Sequence, residues 1–394
     1  MMSPREFLGG PWRAVPVLGV TQVLAWGTIF YTPVLMLPLV AAECGFSLTF
    51  AMGGFSVGLL AAGLVSPKVG RLIDRYGGHR VMPFGSLAGA LGLFALAHAS
   101  HPLAYYATWV LLGVALAASL YDPAFATLGR IFGARARSPI TALTLIGGFA
   151  STVSWPVTFA LLQSVGWRTT YVIYAAALAL IAAPLHAFGL PRTRAEGGVK
   201  PADGTQSPPP TRPAAGAAFL LVVAAFASYA FVPSGLSAHL LAIFQRAGID
   251  PGTAVIIGAL FGPAQVAARL CEFIFARNVH PLIMVRFSIG LLVASFALLA
   301  LFGFSTPVAA VFAVMFGVAN GLVTIARGAV PLALFGPTGY GGIIGRIARA
   351  ALIVTAVAPL VIAFVAERTS DPVALAVAAA FAVVSLTCFL LIRR

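Results

Sequence analysis

The sequence predicts an all-α integral membrane protein that crosses the bilayer twelve times, in two six-helix bundles related by pseudo-symmetry. Of 394 residues, 60% are hydrophobic and only 9% are Asp, Glu, Lys or Arg, against roughly 25% charge in a soluble chain. Mean hydropathy is +1.00 over the whole length, and apolar runs of about 18 residues or more, enough to span a bilayer, recur from end to end. These runs are too long and uniform for barrel strands. A backbone crossing lipid must also satisfy its own N–H and C=O groups, which leaves helices. Most soluble enzyme classes are thereby excluded.

The twelve spans lie near residues 14–40, 48–67, 81–100, 103–128, 139–163, 169–190, 216–243, 252–275, 281–303, 306–333, 341–365 and 372–391. The first follows a short polar lead and is longer than a signal-peptide core, so it reads as a retained helix. The 41 glycines and 27 prolines are compatible with spans because neighbouring helices can re-satisfy freed backbone groups. Between the sixth and seventh spans, Pro191 to Pro213 carries Arg192, Arg194, Glu196, Lys200, Asp203 and Arg212 among six prolines. Such a stretch cannot bury enough apolar surface to order itself. The expected organisation is an N-terminal bundle over residues 1–190, a flexible cytoplasmic linker over 191–216 and a C-terminal bundle over 217–394.

The net charge of +14 is sorted by topology. With the N-terminus in the cytoplasm, every Lys and Arg except Arg168, Arg246 and Arg368 falls on or near the inner side, as the positive-inside bias requires. Both termini are therefore expected in the cytoplasm of a multi-pass protein of the inner (plasma) membrane. No basic stripe is interleaved with stacking aromatics, so nucleic acid is not an expected partner. Cys44, Cys271 and Cys388 stand far apart, and no His cluster has metal-ligand spacing, so neither a metal nor a disulfide framework is indicated. No H-E-x-x-H, nucleotide-binding loop or Ser-His-acid spacing appears, hence no enzyme and no cofactor is expected. A sensor would need an appended signalling domain, and the tails are short. The expected partners are the lipid bilayer, protons and a small molecule, with the chain acting as a monomer.

A short internal repeat supports two equivalent halves. Gly113-Val114-Ala115 in the fourth span recurs as Gly317-Val318-Ala319 in the tenth, and Phe132-Gly133 recurs at nearly the same offset as Phe335-Gly336. Six-plus-six parallel halves suit a transporter that rocks around a midplane site.

The turn between the second and third spans reads Gly70-Arg71-Leu72-Ile73-Asp74-Arg75-Tyr76-Gly77-Gly78-His79-Arg80. It resembles the signature loop of the major facilitator superfamily, with His79 in place of one base. There Gly70, Asp74, Arg75, Gly77 and Arg80 form a conformational loop. Asp74 can meet a neighbouring positive loop or the N-terminal dipole of a nearby helix, while Gly70 and Gly77 permit close approach and a tight turn. Gly166-Trp167-Arg168 is similar to that superfamily's outer-loop usage. The resemblance implies alternating-access transport and names no substrate.

Subfamily marks point away from multidrug antiport. Where drug–proton antiporters of the superfamily carry Arg four residues before a span-4 glycine, this chain has Trp109 before Gly113. Their span-5 pattern is also incomplete, with Gly147-Gly148 present but Trp155-Pro156 followed by Val157-Thr158. The basic entry to span 5 over Phe132 to Arg137, Leu24-Ala25-Trp26-Gly27 in span 1 and an Arg in span 8 are similar to monocarboxylate-transporter-like members. The acid of that family's first span is replaced by Thr21-Gln22.

An ionisable group within a span costs at least a few kcal/mol and is a functional candidate by default. Span 8 carries Gln265, Arg269 and Glu272 on one helical face, and span 10 carries Asn320, Thr324 and Arg327 at similar spacing. A guanidinium can hold a carboxylate by two parallel hydrogen bonds, so Arg269 or Arg327 would pair with an anionic substrate group. A local pairing of Arg269 with Glu272, or snorkelling, is the alternative. Asp122, in Tyr121-Asp122-Pro123, is either a gate partner of Arg327, the carrier of the coupling proton, with Glu272 in the same class, or a cap on local backbone. Gln22, Trp26 and Tyr31 in span 1 and Tyr229 in span 7 would shape the substrate cavity, with His239 nearer the outer end of span 7. The expected function is proton-coupled transport of a small, monocarboxylate-like organic anion. The competing expectation is export of a neutral or cationic drug-like compound or metabolite by proton antiport.

Overall fold

The computed structural model describes residues 10–192, 216–237, 239–276 and 278–393. The expected linker falls almost wholly in 193–215, outside the described residues. Among these residues there is no strand, and eleven helices are long and apolar enough to cross a membrane. The first four are Pro11–Cys44, Leu48–Tyr76, Gly78–His98 and Pro102–Arg135. Arg137–Gly189 follows as one run of 53 residues. At 1.5 Å per residue it would reach about 80 Å, more than twice the ~30 Å hydrocarbon core of a bilayer. Gly166, with φ 76° and ψ 173°, turns the chain there and divides the run into the fifth and sixth spans. The remaining six are Ala217–Leu236, Pro251–Ala276, Pro281–Phe302, Thr306–Phe335, Tyr340–Arg368 and Asp371–Leu391. Large apolar side chains stand on the surface, among them Phe84 at 72% and Leu301 at 78% exposure. That is a surface for lipid rather than water.

The chain forms two compact units. The first comprises residues up to Gly216 together with Pro331–Arg349, and the second Ala217–Val330 with Ala350–Arg394. The boundary thus runs through the tenth and eleventh helices. In the first unit Leu18, Phe125, Leu128, Ile140, Tyr340 and Ile344 belong to one buried core. The second has its own core around Phe244, Phe296, Phe312, Ile362 and Ala378.

The glycine repeat has a packing counterpart in each unit. A Cβ on Gly113 would lie 2.7 Å from the Ala61 Cβ of the second helix, and one on Gly317 would lie 2.8 Å from the Ala264 Cβ of the eighth. Each glycine lets its helix approach the neighbour two positions earlier, closer than any side chain allows. Gly133 and Gly336 then end the fourth and tenth helices with φ 57° and 74°, values that favour glycine.

The fourth span departs from a simple apolar run. It is two helices, Pro102–Ser119 and Tyr121–Phe132, joined at Leu120 in extended conformation. Pro123 has no N–H for the Ser119 carbonyl one turn earlier. Gln22 Nε2 supplies it at 2.7 Å and also reaches the Leu120 carbonyl at 3.3 Å. The eleventh helix meets the same problem at Pro359, and there Ser234 Oγ donates to the Thr355 carbonyl at 2.7 Å. The tenth helix runs unbroken from Thr306 to Phe335.

Candidate functional site

In the second unit the predicted polar residues converge from three helices. Arg269, on Phe261–Cys271, is 5% exposed and donates through Nη2 to Gln265 Oε1 at 3.3 Å and Thr324 Oγ1 at 3.4 Å, and through Nε to the Gly321 carbonyl at 3.4 Å. These are long for a charged donor, whose hydrogen bonds to oxygen average about 2.8 Å. The Thr324 hydroxyl itself donates to the Asn320 carbonyl at 2.8 Å. The Tyr229 hydroxyl donates to Asn320 Oδ1, bringing in the seventh helix. Arg327 is half-buried one turn beyond Thr324, and both guanidiniums act electrostatically on the Tyr229 hydroxyl. Glu272 is buried at the start of a wider, π-helical turn, Glu272–Ala276. Gly321 makes the cluster possible, because a Cβ there would lie 2.9 Å from the Gln265 Cα.

The first unit offers aromatic rings instead of charge. The first span winds as a π-helical segment over Trp26–Tyr31, which splays three rings to one region. Trp26 lies 5.8 Å from Tyr31, 4.7 Å from Phe30 and 5.2 Å from Tyr121 between ring centroids, and Tyr31 meets Trp155 edge-on at 6.4 Å. Gln22 is fully buried. Its amide N–H groups go to Ser119 and Leu120, and its Oε1 accepts from Trp26 Nε1 at 3.1 Å. Both Gln22 donors are therefore spent on backbone, and its carbonyl orients the indole.

Asp122 occupies the first turn of Tyr121–Phe132, where the positive end of a helix dipole favours a carboxylate. It lines a cavity of about 10 Å³ with Ser66, Gly341 and Gly345, room for a single water at most. Nearby, the signature turn has a defined geometry. Gly77 ends the second helix at φ 84°, and the third helix begins at the next residue. A Cβ on Gly70 would overlap the Gly341 carbonyl. Asp74 accepts the N–H groups of Gly341 and Gly342, each at 2.8 Å, and so caps the helix that starts at Tyr340. Its own backbone carbonyl accepts from Arg130. Arg75 and Arg80 are exposed, Arg75 lying over the Tyr76 ring at 5.1 Å.

Several polar contacts were not anticipated. His186, fully buried, bridges Ser86 Oγ at 3.0 Å and Thr21 Oγ1 at 2.8 Å, tying the sixth helix to the third and first. Trp167 and Arg168 both donate to Glu43, Arg168 at 2.9 Å. In the second unit Arg246 makes a bidentate pair with Asp371 at 2.7 and 2.8 Å. Trp109 is a core residue set against Gly54 and Gly58, and His239 Nε2 meets the Pro359 carbonyl at 3.2 Å. A proline in a span, with the carbonyl it orphans four residues earlier, is the signal that finds Gln22 and Ser234.

The model of the Major Facilitator Superfamily matches residues 17–325. The chain belongs to the major facilitator superfamily. No curated protein matches it in sequence. Solved structures similar to it include the human organic anion transporter MFSD10 (TETRAN), with a TM-score of 0.72 at 16% identity over 98% of this chain and 100% of that one. FucP in the outward conformation has a TM-score of 0.68 at 13% identity over 96% and 98%. The proton:xylose symporter XylE bound to 6-bromo-6-deoxy-D-glucose has 0.69 at 11% over 95% and 94%. At these identities the likeness is one of fold. This superfamily member is thus a multi-pass membrane protein with a transporter fold, consistent with secondary transport, and not an enzyme.

Proposed function

We propose that the protein is a proton-coupled secondary transporter of a small, monocarboxylate-like organic anion, working by alternating access. The observation that supports this best is the cluster of Arg269, Gln265, Asn320, Thr324, Arg327 and Tyr229 on three helices of the second unit. A buried guanidinium beside Gln265, Thr324 and the Gly321 carbonyl can hold a carboxylate through two parallel bonds at once. Desolvation makes that attraction stronger than at a surface. Within the first unit Trp26 and Tyr31 are the aromatic candidates for substrate contact, and Gln22 acts through Trp26, whose indole it holds. Asp122, an acid inside a span at a helix N-terminus, carries the coupling proton, and Glu272 has the same capacity in the second unit.

The Asp74 cap on Gly341 and Gly342 joins the second helix to the eleventh within the first unit, and its part lies in the balance between states rather than in affinity. The proposed orientation, with both termini in the cytoplasm of the inner membrane, puts this cap on the cytoplasmic side. Maleimide labelling of Cys44 from outside only is the expected result, and labelling from the cytoplasm only would reverse the topology.

Uptake into proteoliposomes tests the function. The panel contains monocarboxylates, dicarboxylates, amphipathic cations and neutral compounds, each with and without an inward proton gradient. Gradient-stimulated uptake confined to monocarboxylates is expected. Transport of the cations with carboxylates inert would replace the anion reading by antiport of a cationic compound.

A further inference from the structure

Within the first unit the second helix and the start of the eleventh gather positive charge side by side. The two pack backbone to backbone. A Cβ on Gly70 would overlap the Gly341 carbonyl, and one on Gly345 would overlap the Ser66 carbonyl, so the helices run antiparallel. Arg71 follows Gly70 and Arg346 follows Gly345, which turns both guanidiniums to the same side of the pair. The Arg71 Cγ lies 3.4 Å from where a Gly342 Cβ would stand, and the charges of Arg71 and Arg349 both bear on Arg346. Both carboxylate oxygens of Asp74 accept from backbone, at Gly341 and Gly342. Like charges drawn together repel one another, and an anion shared among them relieves that repulsion. Snorkelling separately to water would instead spread the three side chains apart.

Their depth points to the kind of anion. Leu48–Tyr76 and Tyr340–Arg368 are each 29 residues long, about 43 Å at 1.5 Å per residue, against a ~30 Å hydrocarbon core. Shared between the two ends, the excess puts the hydrocarbon boundary about 7 Å inside each helix end. Arg71 lies about 7 Å from the Tyr76 end, and Arg346 and Arg349 about 9 and 13 Å from the Tyr340 end. The three charges thus stand at the boundary or just inside it, in reach of lipid phosphates. Leu64, seven residues before Arg71 and on the same helical face, is 68% exposed. The fourth helix packs on another side of the second, at Gly58 and Ala61, and leaves this face open to an acyl chain.

We propose that Arg71, Arg346 and Arg349 form a binding site for the phosphate headgroup of an anionic phospholipid, one of whose acyl chains lies along Leu64. A guanidinium fork suits a phosphodiester, two of whose oxygens it can hold at once, and basic groups between spans attract anionic headgroups. The site is separate from the cluster around Arg269 and requires nothing of the carried anion. With the termini placed as proposed, the lipid belongs to the cytoplasmic leaflet.

The test titrates the full-length protein in detergent micelles with dioleoylphosphatidylglycerol, dioleoylphosphatidylcholine and glycerol 3-phosphate, and counts bound molecules by native mass spectrometry. Phosphatidylglycerol is expected to bind more tightly than phosphatidylcholine, with each arginine worth roughly fivefold in Kd. Arg346→Gln with Arg349→Gln should therefore weaken phosphatidylglycerol about 25-fold. Arg71→Gln, a change at an exposed side chain, should weaken it about fivefold by itself. Arg135→Gln with Arg393→Gln, which removes as much charge from exposed positions elsewhere, should leave the affinity unchanged. The unfolding midpoint in the same micelles gives a second reading: phosphatidylglycerol should raise it for the native chain and the Arg135/Arg393 variant but not for the Arg346/Arg349 variant. Equal weakening by the two double variants overturns the site, since net charge alone then attracts the lipid. Equal affinity for the two phospholipids overturns it as well. Displacement of phosphatidylglycerol by glycerol 3-phosphate at matching concentration overturns the lipid as occupant, because a soluble phosphate then suffices.

Discussion

The fourth and tenth helices hold corresponding places in the two units and have been put to different uses. Gly113 and Gly317 give both the same close approach to a neighbouring helix, and Gly133 and Gly336 end both in the same way. Between those shared points the fourth helix breaks at Leu120 and sets a carboxylate at a new helix N-terminus. The tenth runs on unbroken, carrying Asn320, Thr324 and Arg327 one turn apart. The packing glycines are thus independent of the chemistry placed between them. Aromatic rings and Asp122 collect in the first unit, guanidiniums, amides and the buried Glu272 in the second.

The ends of the units repeat the lesson on a smaller scale. Glu43 at the end of the first helix pairs with Arg168 at the start of the sixth, and Arg246 after the seventh pairs with Asp371 at the start of the twelfth. The connection is the same and the signs are exchanged. Of the three arginines expected outside, two are therefore matched by an acid, and the third, Arg368, lies over the Phe364 ring at 5.4 Å. What the positive-inside bias registers as exceptions are local pairs.

The largest effect that would break the comparison concerns Asp122, the acid of the first unit's broken span. Asp122→Asn is expected to abolish uphill, gradient-driven uptake while leaving carboxylate exchange at equal pH. Retained uphill uptake would remove Asp122 from coupling. Next come the shared glycines. Gly113→Ala and Gly317→Ala should each cost about 1–3 kcal/mol through overpacking, read as a lower unfolding midpoint in detergent. A large loss from one with none from the other would show that the repeat is not equivalent packing.

Smaller effects sharpen the contrast in how orphaned carbonyls are served. Gln22→Leu strips the Ser119 carbonyl of its donor and the Trp26 indole N–H of its acceptor, whereas Ser234→Ala strips only the Thr355 carbonyl, at about 1–3 kcal/mol for each group left bare. The Gln22 variant should be the less stable, and it alone should alter Trp26 fluorescence. The smallest effects belong to the end pairs. Glu43→Ala and Asp371→Ala should lower the unfolding midpoint only slightly, and less so at high salt, because exposed pairs are screened. A salt-independent loss would mean that these pairs do more than exposed ion pairs can.

Much of this was legible in the sequence, because its signals are one-dimensional. Lipid enforces long apolar runs, and the Gly70–Arg80 turn reads directly as a motif whose Asp74 meets a helix N-terminus at Gly341 and Gly342. The Gln265/Arg269 and Asn320/Thr324/Arg327 stripes were visible as helical spacings. Their convergence with Tyr229 was not, since it depends on Gly321 letting two backbones meet. The break at Leu120 was hidden because both of its sides are apolar, and only Pro123 marks it. Gln22 read as a cavity residue by its face, but the need of the Ser119 carbonyl determines where its amide points. His186 stands in an apolar run, and its partners Thr21 and Ser86 lie far away in sequence.

The central claim is that the second unit's guanidiniums hold the carboxylate of the transported anion. The most direct measurement is the initial rate of uptake of a transported monocarboxylate by proteoliposomes containing Arg269→Ala, Arg327→Ala or both, with Arg269→Lys alongside. Loss of charged hydrogen bonds worth about 1.5–3 kcal/mol each should lower uptake roughly 10- to 150-fold for the single variant at the binding arginine. Lys should restore part of it, through charge without the fork. Uptake at the native rate in the double variant would contradict the claim.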